Sequence, residues 1–203
     1  FRRVLFRSKF ALKAKQAGVD AVVAEGFEAG GHNGREETTT MCLVPLIRDT
    51  VDLPLLAAGG IGSGRAMLAA MALGADGVQV GTRFAASLES SLHQNFKNKI
   101  LSVKEGDTVL TMKQLVPVRL IKNKFYLRIE EAEHRGASVE ELKEILGRAR
   151  AKRGMFEGDL EEGELEIGQI AESIREIKPA AEILNDIWKE FCKAKEKISG
   201  IKL

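Results

Sequence analysis

Three apolar runs punctuate the first half of the chain: Val19–Ala24 (VDAVVA), Leu53–Ala58 (LPLLAA) and Gly77–Val80 (GVQV). None keeps the strict polar alternation of a half-exposed strand, and each runs into a glycine-containing loop. Such runs predict short strands buried on both faces, the pattern of a parallel sheet covered by helices. The text between them has helical spacing. Lys9–Ala17 predicts a helix ended by Gly18, Thr40–Asp49 a helix with Pro45 near its first turn, and Arg65–Leu73 an Ala-rich helix closed by Gly74. Strand starts near 19, 53 and 77 imply βα units of roughly 30 residues, the size of a right-handed crossover. The fold class is therefore α/β. Three units cannot close a barrel of eight strands and about 250 residues, so on pattern alone a small open sheet remains an alternative.

The pattern changes midway. Residues 1–100 hold 12 glycines and 21 charged residues, whereas residues 101–203 hold 8 glycines and 39 charged residues. Solvent-laced helices thus replace glycine loops. Ser138-Val-Glu-Glu141 is a capping box opening a predicted helix over Val139–Lys152, with Leu142, Ile145 and Leu146 on one face. Ala180–Ile198 carries Ile183, Leu184, Ile187, Trp188 and Phe191 at helical spacing, a core-packing stripe. The acidic run Glu157–Glu166 reads as a solvated loop. Three segments follow: 1–8, 9–100 with the βα units, and a mostly helical 101–203. Phe1–Ser8 is basic, has neither an apolar core nor a small-residue cleavage site, and is expected to be a junction or non-native segment rather than a secretory signal.

Charge and cysteine usage narrow the function classes. Lys and Arg number 31 against 29 Asp and Glu, a net charge of +2, and aromatics are 5%. That balance lacks the basic footprint and stacking platform of a nucleic-acid-binding protein. No apolar run reaches the ~18 residues of a membrane span. Cys42 and Cys192 stand alone, which excludes a disulfide scaffold and a zinc knuckle. The expected compartment is a reducing cytoplasm, and no metal site is expected.

Candidate chemistry lies in three loops after the predicted strands, where parallel α/β folds build their sites. The first is Glu25-Gly-Phe-Glu-Ala-Gly-Gly-His-Asn-Gly34, the second Gly59-Gly-Ile-Gly-Ser-Gly64, the third Gly81-Thr-Arg-Phe84. The second loop leads into a helix and has the composition of a phosphate cradle, because glycine lets backbone N–H groups approach an anion. Gly81 and Thr82 add further amide and hydroxyl donors. The first loop supplies the one reactive side chain flanked by glycines, His32. Histidine is the side chain whose ordinary charge change lies near neutral pH, which suits proton transfer. Gly30 and Gly31 leave room beside it for a planar ring. His93 and His134, in charged helical text, read as surface residues.

Taken together, Ala24-Glu-Gly-Phe-Glu-Ala-Gly-Gly-His-Asn-Gly34, Leu56-Ala-Ala-Gly-Gly-Ile-Gly62 and Val78-Gln-Val-Gly-Thr-Arg-Phe84 resemble the nitronate monooxygenase (2-nitropropane dioxygenase) family, which includes the FMN-dependent enoyl-ACP reductases. Gly158-Asp-Leu-Glu-Glu-Gly163, Gly168-Gln169 and Ile177-Lys-Pro179 resemble that family's C-terminal segment. The resemblance covers about residues 9–195. It implies the C-terminal part of a TIM barrel, about strands 6–8, with an appended helical domain and with strands one to five outside this chain. It implies FMN as cofactor, with NADH or NADPH as reductant in the reductase branch. By position, His32 matches the active-site histidine, Gly30 and Gly31 the backbone neighbours of the flavin, and Gly59, Gly60, Gly81 and Thr82 the phosphate binders. Leu115-Val-Pro-Val-Arg119 departs from the Gly-His/Arg-Pro turn frequent in the family.

Three functions follow as expectations. The first is oxidation of alkyl nitronates by O2, by a truncated chain expected to be inactive alone, the second NAD(P)H-dependent reduction of an enoyl thioester on acyl carrier protein, and the third a non-catalytic phosphate-binding barrel portion. A homodimer is compatible with all three.

Overall fold

The computed structural model describes residues 2–5 and 7–200. Its first half is a four-stranded parallel sheet with helices between the strands. Strand β1 (Arg2–Leu5) precedes α1 (Ser8–Gln16), and β2 (Ala21–Glu25) is followed by a two-residue strand, β3 (Gly31–His32), and α2 (Thr40–Arg48). Then come β4 (Leu55–Ala58), α3 (Gly64–Ala72), β5 (Gly77–Gln79) and the single turn α4 (Thr82–Ala85). The sheet order is β1-β2-β4-β5, each pair parallel. Each neighbour in the sheet is thus the next long strand in the chain. Phe1 and Phe6 of the segment expected to be a junction lie outside the described residues, while Arg2–Leu5 pair with Ala21–Ala24.

The expectation of strands buried on both faces has a direct physical signature here. Val22, Val23 and Ala24 are consecutive and all fully buried, so both faces of β2 are covered. On one face, Leu43, Val44 and Ile47 of α2 pack with Val22, Ala24, Leu55 and Ala57. Pro45 sits inside α2 rather than in its first turn.

The second half holds more than helices. After α5 (Gln94–Leu101) the chain forms an antiparallel hairpin, β6 (Thr108–Thr111) and β7 (Val118–Ile121), and β3 pairs with β7 to make a separate three-stranded sheet. His32 therefore stands opposite Val118, and Gly31 opposite Arg119. Helices α6 (Lys124–His134), α7 (Val139–Leu146) and α8 (Ala180–Ser199) complete the chain.

Three expectations are corrected. The helix expected over Val139–Lys152 stops at Leu146 because Gly147 takes φ +62° and the Arg150 guanidinium turns back to donate to the carbonyls of Leu146 (2.9 Å) and Ile145 (3.2 Å). The acidic run is not a solvated loop: Glu164 is 6% exposed and Leu165 is fully buried. The Ile121 N–H donates to the Leu165 carbonyl at 2.9 Å and Glu166 bridges Leu120, so this stretch extends the small sheet beside β7. The α8 stripe is split. Ile183, Ile187 and Phe191 are buried, whereas Leu184 and Trp188 are exposed, Trp188 stacking on Phe191.

Candidate active site

The three loops converge. Gly30 from the first, Gly59 and Gly60 from the second, and Gly81 and Thr82 from the third line one cleft of about 480 Å³ at the C-terminal ends of β2, β4 and β5. The sheet itself brings them together, since the parallel register sets Glu25 beside Ala58 and Ala58 beside Gln79, and all three residues face the cleft. Its apolar wall includes Phe84, Leu92, Met155, Ile167 and Ile170.

The donors of the cleft include backbone groups beside the side chains of Gln79, Thr82, Ser90 and Ser91. Among the described residues, the N–H groups of Gly60, Ile61, Gly81 and Thr82 meet no hydrogen-bond acceptor. Of these residues Ile61 is buried, Gly60 and Thr82 are half-buried and Gly81 is exposed, so the four amides form an open donor set that an anion entering the cleft could engage. The α3 N-terminus itself is already capped: Gly64 N–H donates to Glu190 Oε2 at 2.8 Å and Ala66 N–H to Ser63 Oγ at 3.2 Å. The loop ahead of the helix, rather than its first turn, is thus the free donor set.

Two glycines are required by close approach. Gly59 has φ +88°, and a Cβ there would stand 2.6 Å from the Gly26 carbonyl oxygen. A Cβ on Gly30 would collide with the backbone of Ile167 and Gly168, which closes the cleft floor. Thr82 also holds that floor: its Oγ1 accepts the Gly168 N–H at 3.0 Å, while the Gln169 N–H donates to the Glu28 carbonyl at 3.0 Å.

His32 stands next door. It is exposed and lines a second hollow of about 270 Å³ with Met112, Leu115, Val118, Leu146 and Glu164. Gly31 lines neither space, but a Cβ on it would come within 2.6 Å of Glu166 Oε2. Glu166 borders both the cleft and the hollow, and so joins the two. Its carboxyl is pushed up by burial, and the neighbouring His32 pulls it partly back down.

Carboxyls are the site residues that sequence reasoning missed. Glu25, Glu28 and Glu166 line the cleft, and no Lys or Arg does. Burial pushes Glu25 up to about 7, and burial together with Glu166 pushes Glu164 up to about 7 against the opposing charge of Arg150. Groups so placed hold or release a proton near neutrality. Glu25, the last residue of β2, was legible as a strand-end carboxyl; Glu164 and Glu166 were hidden inside the acidic run.

The two other histidines do not join the site. His93 is partly buried and caps α5, its Nδ1 accepting the Asn95 N–H at 3.1 Å, so it is more than a surface residue. His134 is exposed at the end of α6. Cys42 and Cys192 are free. Among the described residues no His/Cys/Asp/Glu group is arranged to hold a metal ion, and no helix is long and apolar enough to cross a membrane.

Comparison with known proteins gives a consistent result. FabK from Thermotoga maritima superposes with a TM-score of 0.91 at 44% identity, over 98% of this chain and 63% of that one. A nitroalkane oxidase from Streptomyces ansochromogenes superposes with a TM-score of 0.78 at 30% identity, over 97% of this chain and 58% of that one. A probable nitronate monooxygenase of Staphylococcus saprophyticus is 44% identical across 60% of this chain and 37% of its own length. Counterparts from Staphylococcus aureus are 45% identical across 50% of this chain and 31% of theirs. The chain thus spans well under half of these curated relatives. The family profile of nitronate monooxygenase matches residues 8–190, a span that contains every loop of the cleft and the hollow beside it, and the chain belongs to the nitronate monooxygenase family.

Proposed function

We propose that this chain carries the flavin-phosphate cleft and the proton-transfer histidine of an FMN-dependent oxidoreductase that oxidises alkyl nitronates with O2. In this reading β1, β2, β4 and β5 are about strands five to eight of a (β/α)8 barrel, one strand more than the resemblance implied, and the hairpin and later helices are its appendage. The sequential parallel order supports that placement, because a doubly wound sheet reverses its strand order and a barrel does not.

The observation that carries the reading is the set of unpaired amides at Gly60, Ile61, Gly81 and Thr82 around one cleft. They fit a phosphate, and the apolar wall from Phe84 to Ile170 fits the remainder of a flavin. Gly59, Gly60, Gly81 and Thr82 hold the phosphate, and Gly30 keeps the backbone low beside the ring, while Gly31, outside the cleft, makes room for Glu166. Bound FMN supplies the redox chemistry of the site. His32 takes the proton from the carbon next to a nitro group, or orients a nitronate that arrives already deprotonated. Glu166 beside it balances the imidazolium charge. Burial pushes the carboxyl of Glu25 up to about 7, so below that pH it stays largely protonated and opposes an anion in the same cleft less than an ordinary carboxylate would.

A second reading is NAD(P)H-dependent reduction of an enoyl thioester on acyl carrier protein. It draws on the superposition on FabK, which is tighter than that on the nitroalkane oxidase.

Flavin fluorescence tests both. Titration of the chain with FMN and with riboflavin should give tighter binding of FMN; equal affinities would remove the phosphate site and the reading with it. Anaerobic NADH or NADPH added to the flavin-loaded protein should leave the yellow colour intact, and rapid bleaching would select the reductase.

A further inference from the structure

We infer that Glu190, on α8, is a positioning residue for the cofactor phosphate: it fixes the downstream end of the Gly59–Gly64 loop, so that Gly60 and Ile61 present their free N–H groups at the cleft. This deepens the proposed function and rests on it for the identity of the anion.

The carboxylate does more than a helix cap requires. Helix α3 already has a local cap, because Ser63 Oγ accepts the Ala66 N–H at 3.2 Å. Glu190 adds a further acceptor from 126 residues away in the chain. Its Oε2 takes the Gly64 N–H at 2.8 Å, and its Oε1 takes the Arg65 Nε–H at 2.7 Å. Two donors on one carboxylate fix its orientation, and the guanidinium offsets its charge. That offset matters beside an anion site, where a bare carboxylate would oppose a phosphate. Glu190 thus fills the positive start of α3 and leaves an entering anion to the loop upstream.

The loop is pinned on both sides of Gly60 and Ile61. Upstream, the Gly59 carbonyl accepts from the Thr40 hydroxyl at 2.8 Å. Downstream, a Cβ on Gly62 would stand 2.7 Å from Ile170 Cδ1, and one on Gly64 would stand 2.1 Å from the Phe191 nitrogen and 2.4 Å from the Ile187 carbonyl oxygen. Helix α3 therefore starts in backbone contact with α8. Between these fixed points the N–H groups of Gly60 and Ile61 keep no acceptor. Without the Glu190 carboxylate the Gly64 N–H would be unpaired at a buried position, and the downstream anchor of the loop would loosen.

FMN and riboflavin differ only in the phosphate, so the pair separates positioning of the phosphate loop from general support of the fold. Their affinities are read by flavin fluorescence, and backbone order at Gly60 and Ile61 by the ¹⁵N heteronuclear NOE of the flavin-free chain. Glu190→Ala should weaken FMN binding roughly fivefold or more, the equivalent of one lost hydrogen bond, and leave riboflavin binding unchanged. It should also lower the NOE at Gly60, Ile61 and Gly64, with Leu43 and Ile47 in the core unaffected. Glu190→Gln keeps an acceptor for the Gly64 N–H and should recover most of the loss. Should Glu190→Ala fold poorly, Glu190→Asp, one carbon shorter, should show the same selective loss in milder form. Equal weakening of both flavins, unchanged FMN affinity in the folded variants, or a lower NOE at Gly64 alone would overturn the proposal. A natural chain with no preference for FMN over riboflavin would remove the phosphate reading, and the NOE at Gly60 and Ile61 would still decide whether Glu190 sets the loop.

Discussion

Glu28 and Thr40, twelve residues apart, tie the first loop to the second: Glu28 Oε2 accepts the Thr40 N–H at 3.0 Å and lies 3.1 Å from its hydroxyl. That hydroxyl is also 2.8 Å from the Gly59 carbonyl and 3.1 Å from the Ala58 carbonyl. One carboxylate thus caps the start of α2, and one hydroxyl reaches across to the end of β4. The two strand-end loops that line the cleft are fixed to each other before any ligand arrives. Thr40→Val keeps the shape and removes the hydroxyl from a buried site. It should destabilise the protein by about 1–3 kcal/mol, read as a lower urea midpoint, while Thr40→Ser should recover most of the loss. An unchanged midpoint would mean the hydroxyl is not part of the tie.

Two glycines of the cleft should respond in opposite ways to the same substitution. Gly59→Ala places a Cβ 2.6 Å from the Gly26 carbonyl at φ +88°, so it should lower stability by roughly 1–2 kcal/mol or more. Gly81→Ala meets nothing within 4 Å and has φ −100°, so the fold should be unaffected. Its methyl group projects into open space beside the unpaired amides, so FMN affinity should drop while the thermal melt stays put. Equal behaviour of the two variants would contradict the division between a glycine required by packing and one required by the ligand.

How much of this was legible depends on how each residue advertises itself. The parallel sheet was readable because Val22, Val23 and Ala24 need cover on both faces and glycines mark where each unit turns. The small sheet was not. Its first strand is Gly31–His32, too short to show a period, and β7 carries Arg119, which is 3% exposed and breaks the apolar run. That arginine is held by the Phe27 carbonyl at 3.0 Å and by the Phe27 ring, partners that lie 92 residues away. The acidic run misled for the same reason. Averaged over its length it is polar, yet Leu165 and Ile167 anchor it and carry Glu164 and Glu166 inward. Of the cleft, the glycines and Thr82 could be read locally, whereas its carboxyl character arises only when the segment around Glu166 folds back beside β7.

Glu25 should give the protein a measurable pH dependence. The folded chain keeps this carboxyl protonated up to about 7, whereas in the unfolded chain it ionises near 4.5. The folded state therefore binds more protons between those values, and stability falls as pH rises through the window, levelling off above it. Glu25→Gln removes that loss. After solvent screening of a group that is not fully enclosed, the gain should be about 1 kcal/mol at pH 8, a Tm rise of about 2–4 °C, with no change at pH 4. An anion in the same cleft favours the protonated form further, so FMN affinity should weaken as pH rises past 7 in the natural chain and stay flatter in Glu25→Gln. A Tm difference between the two chains that is the same at pH 4 and pH 8 would refute the assignment.

His32 separates proton transfer from positioning. It stands on β3 opposite Val118, exposed at the hollow and two residues from Gly30, which lines the cleft, so His32→Asn should leave FMN binding intact. If the imidazole removes a proton from carbon, flavin-loaded His32→Asn should lose roughly 10²–10⁴-fold with neutral nitroalkanes. It should lose far less with nitronates, because they arrive without that proton. If the imidazole only orients the head group, both substrates should suffer alike. Glu166→Gln provides the internal control. It keeps the shape next to Gly31 and removes a charge beside His32, so under the base reading it should slow nitroalkane turnover and spare nitronate turnover, in the same ratio sense as His32→Asn. The measurement is the ratio of the two losses across pH 5–9 for each variant. Full activity of His32→Asn on both forms would take His32 out of the reaction, and the unpaired amides of the cleft would then have to be explained without it.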